Sequence, residues 1–545
     1  MLLNELKKKI SNEFNYLKKK NLKRKNGKTK YEIESYLENP ELWHIDVCKF
    51  LQYGDGNIEY FKNMYIGLKN YTNDEKYLKI QSLLHLCSDN YERIICYRFL
   101  MDLEILSSDD LRKYNEIILK TKQIDMKYCL HLDVNGYVFR HKNCIYPEYY
   151  NDRRKTIKSL IDVYWDEEAI FRNVDNNRIA ILTNFLGDSL AATTTYILDD
   201  SLALCNAGKE VEIFVAGHHF WNPKDAFLNM KTPLTDDFEK YAKEHERLTE
   251  GKIKIHYIKG NTIDSRLHNC VHAIQKFDPC AVIDYSSQKA FESAVVMNYY
   301  PVLYVSLTGY STCDMFHKIM CSNVKMWTEQ NEIYHSIDTK DLIPYDKPIR
   351  KVLPKNVFSR KKFGFLETDF LLVTVGNRIE FELEKQCVDA IIPVIEKYSH
   401  IKWIIVSPNE YKYIKDKYSK LVKNKKIVFW GFEKDISGLY TMCNAYVNPN
   451  RTGGGASIAY AMHMGLPILM NNYPSDALPY VGIENTTENY SGMAEKLEKF
   501  VNDDFYYQQW KEKTLQRANA YSTAHAISQY IDGIEIMKKE LLDMQ

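Results

Sequence analysis

The stretch NPNRTGGGASIAYAMHMGLPIL occupies Asn448–Leu469 and contains three consecutive glycines, Gly453–Gly455, at the start of a helix-forming segment. An apolar run of strand type, AYV, comes directly before it. Because glycine lacks a Cβ, the backbone at these positions can approach a ligand closely and adopt positive φ. The helix that follows points free N–H groups and the positive end of its dipole at the same space. The pattern predicts an anion-binding loop between a strand and a helix.

Two polar residues flank the glycines. Arg451 supplies a fixed positive charge that can bind phosphate oxygens through two parallel hydrogen bonds. Ser457 can cap the helix or donate its hydroxyl. Together these features predict a diphosphate site, and the alternative is a glycine loop that only packs against the neighbouring strand. The spacing fits neither GxGxxG nor GxxxxGK[ST], so a standard dinucleotide or ATP site is not expected.

Apolar runs of strand length alternate with helical segments on both sides of this loop. The first series comprises Arg178–Phe185, Glu210–Gly217, Lys252–Ile258, Cys280–Ser286 and Pro301–Leu307, and the second comprises Phe370–Arg378, Ile401–Ser407, Lys426–Phe432, Ala445–Pro449 and Pro467–Asn472. Apolar runs separated by helices are typical of parallel sheets that are covered on both faces. We therefore predict an α/β protein with two doubly wound domains, at residues 176–350 and 351–545.

Residues 1–175 differ from the rest of the chain. Most of this region is predicted to be helical, for example Tyr77–Leu86 and Asp110–Gln123. The stretch Cys129–Cys144 is predicted to form a β-hairpin that turns at Asn135 and Gly136. We therefore expect a mostly helical N-terminal domain in front of the two sheets.

The first 30 residues are strongly basic. Residues 7–30 contain eleven Lys or Arg and one acid, Glu13. Apolar residues recur at helical spacing, so one interpretation is an amphipathic helix that touches an anionic membrane surface. A solvated basic helix is the alternative. Nucleic acid is not expected as a partner, because few aromatic residues interleave with the charges.

Composition narrows the class of protein. The net charge is +1 over 545 residues, so overall charge does not predict a polyanion binder. The chain has no apolar run of the roughly 18 residues that a membrane helix requires, and its first residues do not resemble a signal peptide, so we expect a cytoplasmic protein. Twelve cysteines without a CxxC pair predict reduced thiols rather than a disulfide framework or a zinc site.

Further candidates lie at the predicted carboxyl ends of strands, where ligands bind in doubly wound sheets. Gly376, Asn377 and Arg378 follow the first strand of the second series, and Lys385 comes shortly after. Both basic side chains are predicted to reach the same crevice, unless they belong to a solvated turn and helix face. Asp476 follows the last strand and is predicted either to accept a hydrogen bond from a substrate hydroxyl or to cap a helix.

The first series offers three candidates of its own. Gly187 lies in a turn rich in hydroxyl side chains between a strand and a helix. His218 follows the second strand and is a candidate general base or sugar contact. Asp284 ends the fourth strand and is a candidate substrate contact. The alternative for Gly187 is the start of a capped helix.

On these residues, the second half of the chain resembles the retaining GT-B glycosyltransferases of family 4, also called glycosyl transferases group 1. The resemblance covers roughly residues 178–521 and is strongest over 370–482. It implies two Rossmann-like domains that face each other across a cleft, the second of which binds a nucleotide-sugar. It also implies that no metal or cofactor is needed, because basic side chains and helix N-termini neutralise the leaving diphosphate.

Four positions carry the resemblance. Arg378 matches the arginine of the family's GR turn, and Lys385 is a looser match to the lysine that follows it. The glycines Gly453–Gly455 match the phosphate loop. Phe432, within the stretch WGF, matches the strand end that contacts the nucleotide base. The resemblance thus implies that Arg378, Lys385 and the glycine loop stabilise the leaving diphosphate electrostatically.

The chain departs from the family at two positions. Family 4 enzymes usually carry glutamates where this sequence has Thr452 and Tyr460, and the second glutamate holds the ribose. Arg451 and Ser457 are therefore predicted to carry more of the binding. The predicted activity is transfer of a hexose or N-acetylhexosamine from a UDP-type donor to a hydroxyl of a glycan, a lipid-linked sugar or a protein. The alternatives are a non-catalytic subunit that binds the acceptor for a partner glycosyltransferase, and a sugar-nucleotide epimerase.

Overall fold

The protein is described from a computed structural model. The structure describes residues 33–543 apart from 54–60, 123, 165–169, 173, 190, 218–234, 287–290, 306–316, 323, 325–327, 329–338, 350–352 and 452. The basic residues 1–30, His218 and Thr452 lie outside the described residues.

A helical domain comes first and is held together by one apolar core. Its helices are α1 (Ile33–Glu38), α2 (Pro40–Tyr53), α3 (Lys62–Leu68), α4 (Asn73–Leu86), α5 (Asn90–Asp102), α6 (Ser108–Lys120), α7 (Ile124–Arg140) and α8 (Tyr149–Tyr164). Capping boxes start two of them, with Thr72 paired to Glu75 at α4 and Ser107 paired to Asp110 at α6. These reciprocal bonds satisfy N–H groups that a helix leaves unpaired at its first turn. The predicted helical character of this domain is confirmed.

The hairpin predicted at Cys129–Cys144 is wrong, because α7 runs through most of it. Leu130, Val134 and Val138 recur at four-residue spacing and are buried in the helical core. Asn135, the expected turn residue, is itself buried; its side-chain amide lies 3.0 Å from the His131 ring, four residues earlier. Tertiary burial of one helix face thus outweighs the local Asn-Gly turn signal.

The first sheet has seven parallel strands. They are β1 (Arg178–Thr183), β2 (Glu210–Val215), β3 (Lys254–Tyr257), β4 (Ala281–Asp284), β5 (Val302–Val305), β6 (Lys318–Cys321) and β7 (Leu342–Pro344), in the spatial order β3-β2-β1-β4-β5-β6-β7. The connections between them contain α9 (Ala192–Asn206), α10 (Ala242–Leu248), α11 (Ile263–Phe277) and α12 (Phe291–Val296). All five predicted strands are present. The additional strands β6 and β7 have four and three residues and were not among the predicted strands.

The second sheet has five parallel strands. They are β8 (Phe370–Val375), β9 (Ile401–Val406), β10 (Ile427–Phe429), β11 (Ala445–Val447) and β12 (Ile468–Leu469), in the order β10-β9-β8-β11-β12. The helices are α13 (Ile379–Glu382), α14 (Lys385–Lys397), α15 (Lys412–Lys417), α16 (Ser419–Lys423), α17 (Ile436–Tyr440), α18 (Gly455–His463), α19 (Leu478–Val481), α20 (Tyr490–Asn502), α21 (Asp504–Ala520) and α22 (Thr523–Asp543). The strand order reverses between β8 and β11, as it does between β1 and β4 in the first sheet. Such reversals are the places where doubly wound sheets bind ligands.

Two features join the domains. The hydroxyls of Tyr196 on α9 and Tyr480 on α19 are hydrogen-bonded to each other across the interface. The last helix, α22, returns to the first sheet, where Tyr530 and Ile534 are buried in the same core as Ile181. Across the described ranges, no helix is long and apolar enough to cross a membrane.

Candidate active site

The glycine loop and the turn after β8 lie side by side at the strand-order reversal of the second sheet. β8 pairs directly with β11, so their carboxyl ends are adjacent. Gly376 follows β8, Gly453 and Gly454 lie between β11 and α18, and Gly455 begins α18. β12 pairs with the other side of β11 and leads to Asp476. Three of the predicted segments therefore converge at one edge of the sheet.

Arg451 is the buried centre of this region. Its Nε donates to Asn448 Oδ1 at 2.9 Å, its Nη2 donates to the Val375 carbonyl at 3.0 Å and to the Tyr446 hydroxyl at 3.1 Å, and its Nη1 contacts Glu382 Oε2 at 3.3 Å. Burial by itself lowers the pKa of Arg451, but Tyr446 and Glu382 outweigh it and leave the pKa raised. The guanidinium is therefore charged, and all three of its nitrogens make contacts within the protein.

The two adjacent turns are built around this guanidinium. A Cβ on Gly376 would lie 2.5 Å from Arg451 Nη1, and a Cβ on Gly454 would lie 2.5 Å from Nη2. Gly454 also has a φ of +96°, a backbone conformation that residues other than glycine rarely adopt. Arg451 thus lies beneath the turns and ties them together. The structure does not present Arg451 to a ligand as the sequence suggested.

Arg378 is the exposed cation of the site. Its side chain is 69% exposed and pairs with Glu382, at 2.6 Å from Nη2 to Oε1. A Cβ built on Gly453 would lie 3.9 Å from Arg378 Nη2, so the guanidinium borders the glycine loop. Glu382 thereby contacts Arg378 with one oxygen and Arg451 with the other. The Arg378 guanidinium thus lies beyond the carboxyl end of β8, next to the glycine loop.

Lys385 lies elsewhere. It is exposed at the first turn of α14, and its ammonium is 5.3 Å from the centre of the Tyr413 ring. Tyr413 belongs to α15, which follows β9, and β9 lies on the opposite side of β8 from β11. The structure therefore does not bring Lys385 and Arg378 to one crevice.

The N-terminus of α18 has an internal acceptor. The N–H of Gly455 donates to Asp476 Oδ1 at 3.0 Å, and a Cβ on Gly455 would lie 2.8 Å from the Asp476 carbonyl oxygen. Burial raises the pKa of Asp476, while Lys347, the Gly455 N–H and Arg451 act in the opposite direction. Asp476 thus contacts a helix N-terminus, one of the two roles that the sequence suggested.

The remaining predicted residues of this edge differ in accessibility. The Ser457 hydroxyl donates to the Gly454 carbonyl at 2.8 Å and lies 2.9 Å from the Tyr446 hydroxyl, so it is engaged within the loop. Asn377 is exposed in the turn before Arg378. Phe432 follows β10 and is 56% exposed. Asn377 and Phe432 are therefore open to a ligand, and Ser457 is not.

In the first sheet, Gly187 is held by a buried histidine that the sequence analysis missed. The Gly187 N–H donates to Thr194 Oγ1 at 2.9 Å, and its carbonyl lies 2.7 Å from His245 Nε2. The other ring nitrogen of His245 lies 2.8 Å from the Tyr257 hydroxyl. Burial lowers the pKa of His245, which favours the neutral ring. His245 lies on a short polar helix without a motif, so no sequence signal marked it.

Asp284 is fully buried at the end of β4. Its Oδ1 accepts from the Ser286 N–H at 2.7 Å and its Oδ2 accepts from the Ser293 hydroxyl at 2.5 Å. Burial raises the pKa of Asp284 to about 7, against the lowering effect of these bonds. Both oxygens are thus used inside the domain, and the structure does not present them to a substrate.

Other residues of the two edges were also missed. Glu382 and Asn448 position Arg451, and only their spatial proximity reveals this. Asn184 directly follows β1 and is buried, and its side-chain amide nitrogen has no hydrogen-bond partner in the part of the chain that the structure describes. It lies beside β4 at the reversal point of the first sheet.

The domain that contains the second sheet matches a known protein family. Residues 370–503 match the family model described as Glycosyl transferases group 1. No curated protein sequence matches the chain. An O-GlcNAc transferase mutant from Thermobaculum terrenum has 10% sequence identity and a TM-score of 0.51, with 93% of this chain and 97% of that chain covered. A glycosyltransferase from Rickettsia africae has 13% identity and a TM-score of 0.49, with 67% and 99% covered.

The Thermobaculum structure shares the fold over nearly the whole chain, including the helical region before the first sheet. The two parallel sheets and the preceding helices agree with the predicted architecture. The family match over residues 370–503 and this shared architecture together support a glycosyltransferase with the GT-B fold.

Proposed function

We propose that the protein transfers a hexose or an N-acetylhexosamine from a UDP-linked donor to a hydroxyl of a glycan, a lipid-linked sugar or a protein. Transfer occurs with retention and without a metal. The observation that carries the proposal is the position of Arg378, an exposed guanidinium beside Gly453 at the strand-order reversal of the family-matched domain. An O-GlcNAc transferase of the same fold is a precedent for the N-acetylhexosamine option.

Charge stabilisation of the leaving diphosphate is the central chemical step in this proposal. Arg378 binds diphosphate oxygens with two N–H groups, which requires it to loosen its contact with Glu382. The N-terminus of α18 supplies backbone N–H groups and the positive end of the helix dipole. A phosphate oxygen takes the Gly455 N–H that Asp476 holds in the structure. Arg451 contributes by fixing the two turns rather than by touching the donor.

The proposal is tested by nucleotide release from a panel of UDP-, GDP-, ADP- and TDP-sugars. Arg378→Ala is expected to lower the rate of release from the preferred donor by about 100-fold, as for removal of one preorganised donor to a developing anion. The matched control is Arg178→Ala, because Arg178 also pairs with a glutamate, at 3.2 Å, and its side chain is 42% exposed, but it lies at the amino end of β1 in the first sheet.

Equal nucleotide release by wild type and Arg378→Ala would mean that this site takes no part in the reaction. Release that requires added Mg²⁺ or Mn²⁺ would contradict the metal-independent form of the proposal. Anomeric analysis of the product by NMR tests retention directly. Preference for a GDP, ADP or TDP donor would leave the transfer reaction in place and correct only the donor.

A further inference from the structure

The connection between β9 and β10 carries a concentrated positive charge. Residues 411–426 contain seven lysines and one acid, Asp416, which gives a formal charge of +6. The whole chain has a net charge of only +1. This segment forms α15 and α16 on the outside of the second sheet. Charge is therefore distributed unevenly, with an excess on one face of the family-matched domain.

Six of these lysines are exposed, and we call them the lysine surface: Lys412, Lys415, Lys417, Lys420, Lys423 and Lys425. Within the described ranges, two of the six form ion pairs with carboxylates, Lys415 with Glu410 and Lys417 with Asp389. The side chains of the other four have no hydrogen-bond or ion-pair partner among the described residues. Most of the charge is thus uncompensated by the part of the chain that the structure describes.

The fold does not require this charge. Ile414 is buried in the core of the second domain, and Leu421 and Val422 pack against that core. These apolar side chains hold the two short helices in place. Clustered like charges repel one another and weakly destabilise the compact state. The lysines therefore fit an interaction surface better than a stabilising role.

The chemistry of the surface favours a diffuse anionic partner. All seven basic residues of the segment are lysines, whose ammonium groups are hydrated point charges without the fixed fork that arginine offers to individual phosphates. The neighbouring aromatic hydroxyls are occupied, because Tyr413 and Tyr418 both donate to Asp389, at 2.7 and 2.6 Å. Base stacking typical of single-stranded nucleic acid recognition also requires free aromatic faces, and lysine ammoniums lie over both rings.

We propose that the lysine surface docks this enzyme on an anionic phospholipid bilayer. A basic side chain close to such a surface strengthens binding about fivefold, and the attraction falls off within a Debye length. Large exposed apolar side chains are absent from 411–426, so the contact is electrostatic and does not involve insertion. Lys412 follows the carboxyl end of β9, which pairs with β8, so docking brings the edge that carries Arg378 close to the membrane.

Flotation of the full chain with vesicles tests the proposal. Wild type is expected to float with vesicles of phosphatidylcholine and phosphatidylglycerol, and not with phosphatidylcholine alone. The triple variant Lys412→Glu, Lys420→Glu, Lys423→Glu is expected to bind at least about 100-fold more weakly, from the loss of three lysines. The matched control replaces three other exposed lysines of the same domain with glutamate: Lys361, Lys362 and Lys511. Circular dichroism and nucleotide release in solution check that both triple variants are folded.

Three results would overturn the proposal. The first is wild-type protein that does not float with anionic vesicles at low salt. The second is equal binding by the two triple variants, which would place the contact elsewhere, for example in residues 1–30. The third is binding to soluble polyphosphate, lost in the lysine-surface variant, without binding to vesicles, which would identify a soluble polyanion as the partner. Binding that weakens with salt and is lost only in the lysine-surface variant supports it.

Discussion

At the scale of single residues, Glu382 lies between two arginines that have different roles and contacts both of them. One of its oxygens contacts buried Arg451 and the other contacts exposed Arg378. Arg451 satisfies the Val375 carbonyl, and a Cβ at Gly376 would collide with its guanidinium. Removal of Arg451 leaves buried polar atoms without partners, whereas removal of Arg378 leaves Glu382 still paired with Arg451. The geometry thus predicts that Arg451 contributes to stability, and under the proposed function Arg378 contributes to catalysis.

We therefore expect Arg451→Met to lower the free energy of unfolding by about 3 kcal/mol. Arg378→Met is expected to lower it by less than about 1 kcal/mol, as for an exposed ion pair. Urea denaturation followed by circular dichroism measures both changes. Equal destabilisation by the two variants would show that Arg451 does not hold the turns. Loss of nucleotide release in Arg378→Met at nearly full stability separates its role from folding.

At the scale of elements, the strands were predictable and the contacts at their ends were not. The strands predicted in both sheets are present, and the central ones are apolar runs buried on both faces, whereas the edge strands β3 and β10 are only partly buried. Arg451 and Asp284 lie near the predicted carboxyl ends, yet both turn into the protein. The position of a residue along the chain determines whether it lies at the amino ends or the carboxyl ends of the strands. Side-chain direction depends on partners such as Tyr446 and Ser293, which are distant or unremarkable in sequence.

The junction of β4 and α12 gives a pH-dependent prediction. Burial raises the pKa of Asp284 from 3.8 to about 7. Between pH 4 and 7 the native state therefore holds a proton that the unfolded chain has released, so the contribution of Asp284 to stability falls as pH rises through this window. Asp284→Asn lacks this titration. Its free energy of unfolding relative to wild type is expected to increase from pH 5 to pH 8, by up to about 3 kcal/mol.

Urea denaturation at a series of pH values measures this difference. Asp416→Asn, an exposed substitution of the same kind on α15, is the control and is expected to follow wild type. A difference between Asp284→Asn and wild type that is independent of pH would mean that Asp284 does not take up a proton on folding. A difference that shrinks as pH rises would contradict the sign of the shift.

At the scale of the whole molecule, the two sheet domains are joined at both ends of the second one. Residues 345–349 lead into it, and α22 returns from it to the first sheet. Ile534 on α22 is 2% exposed within the core of the first sheet, whereas Ile536 on the same helix is 46% exposed. A carboxylate at position 534 would be buried without a partner, and one at 536 would remain in water.

Ile534→Asp is therefore expected to destabilise the first sheet domain severely, by more than about 4 kcal/mol, because it places an unpaired charge in an apolar core. Ile536→Asp is expected to change stability by less than about 1 kcal/mol. Limited proteolysis followed by mass spectrometry locates the effect. Cleavage within residues 178–344 in Ile534→Asp, with the second sheet still protected, shows that the last helix completes the core of a domain from which it is distant in sequence. Equal protection in both variants would mean that the first sheet folds without α22.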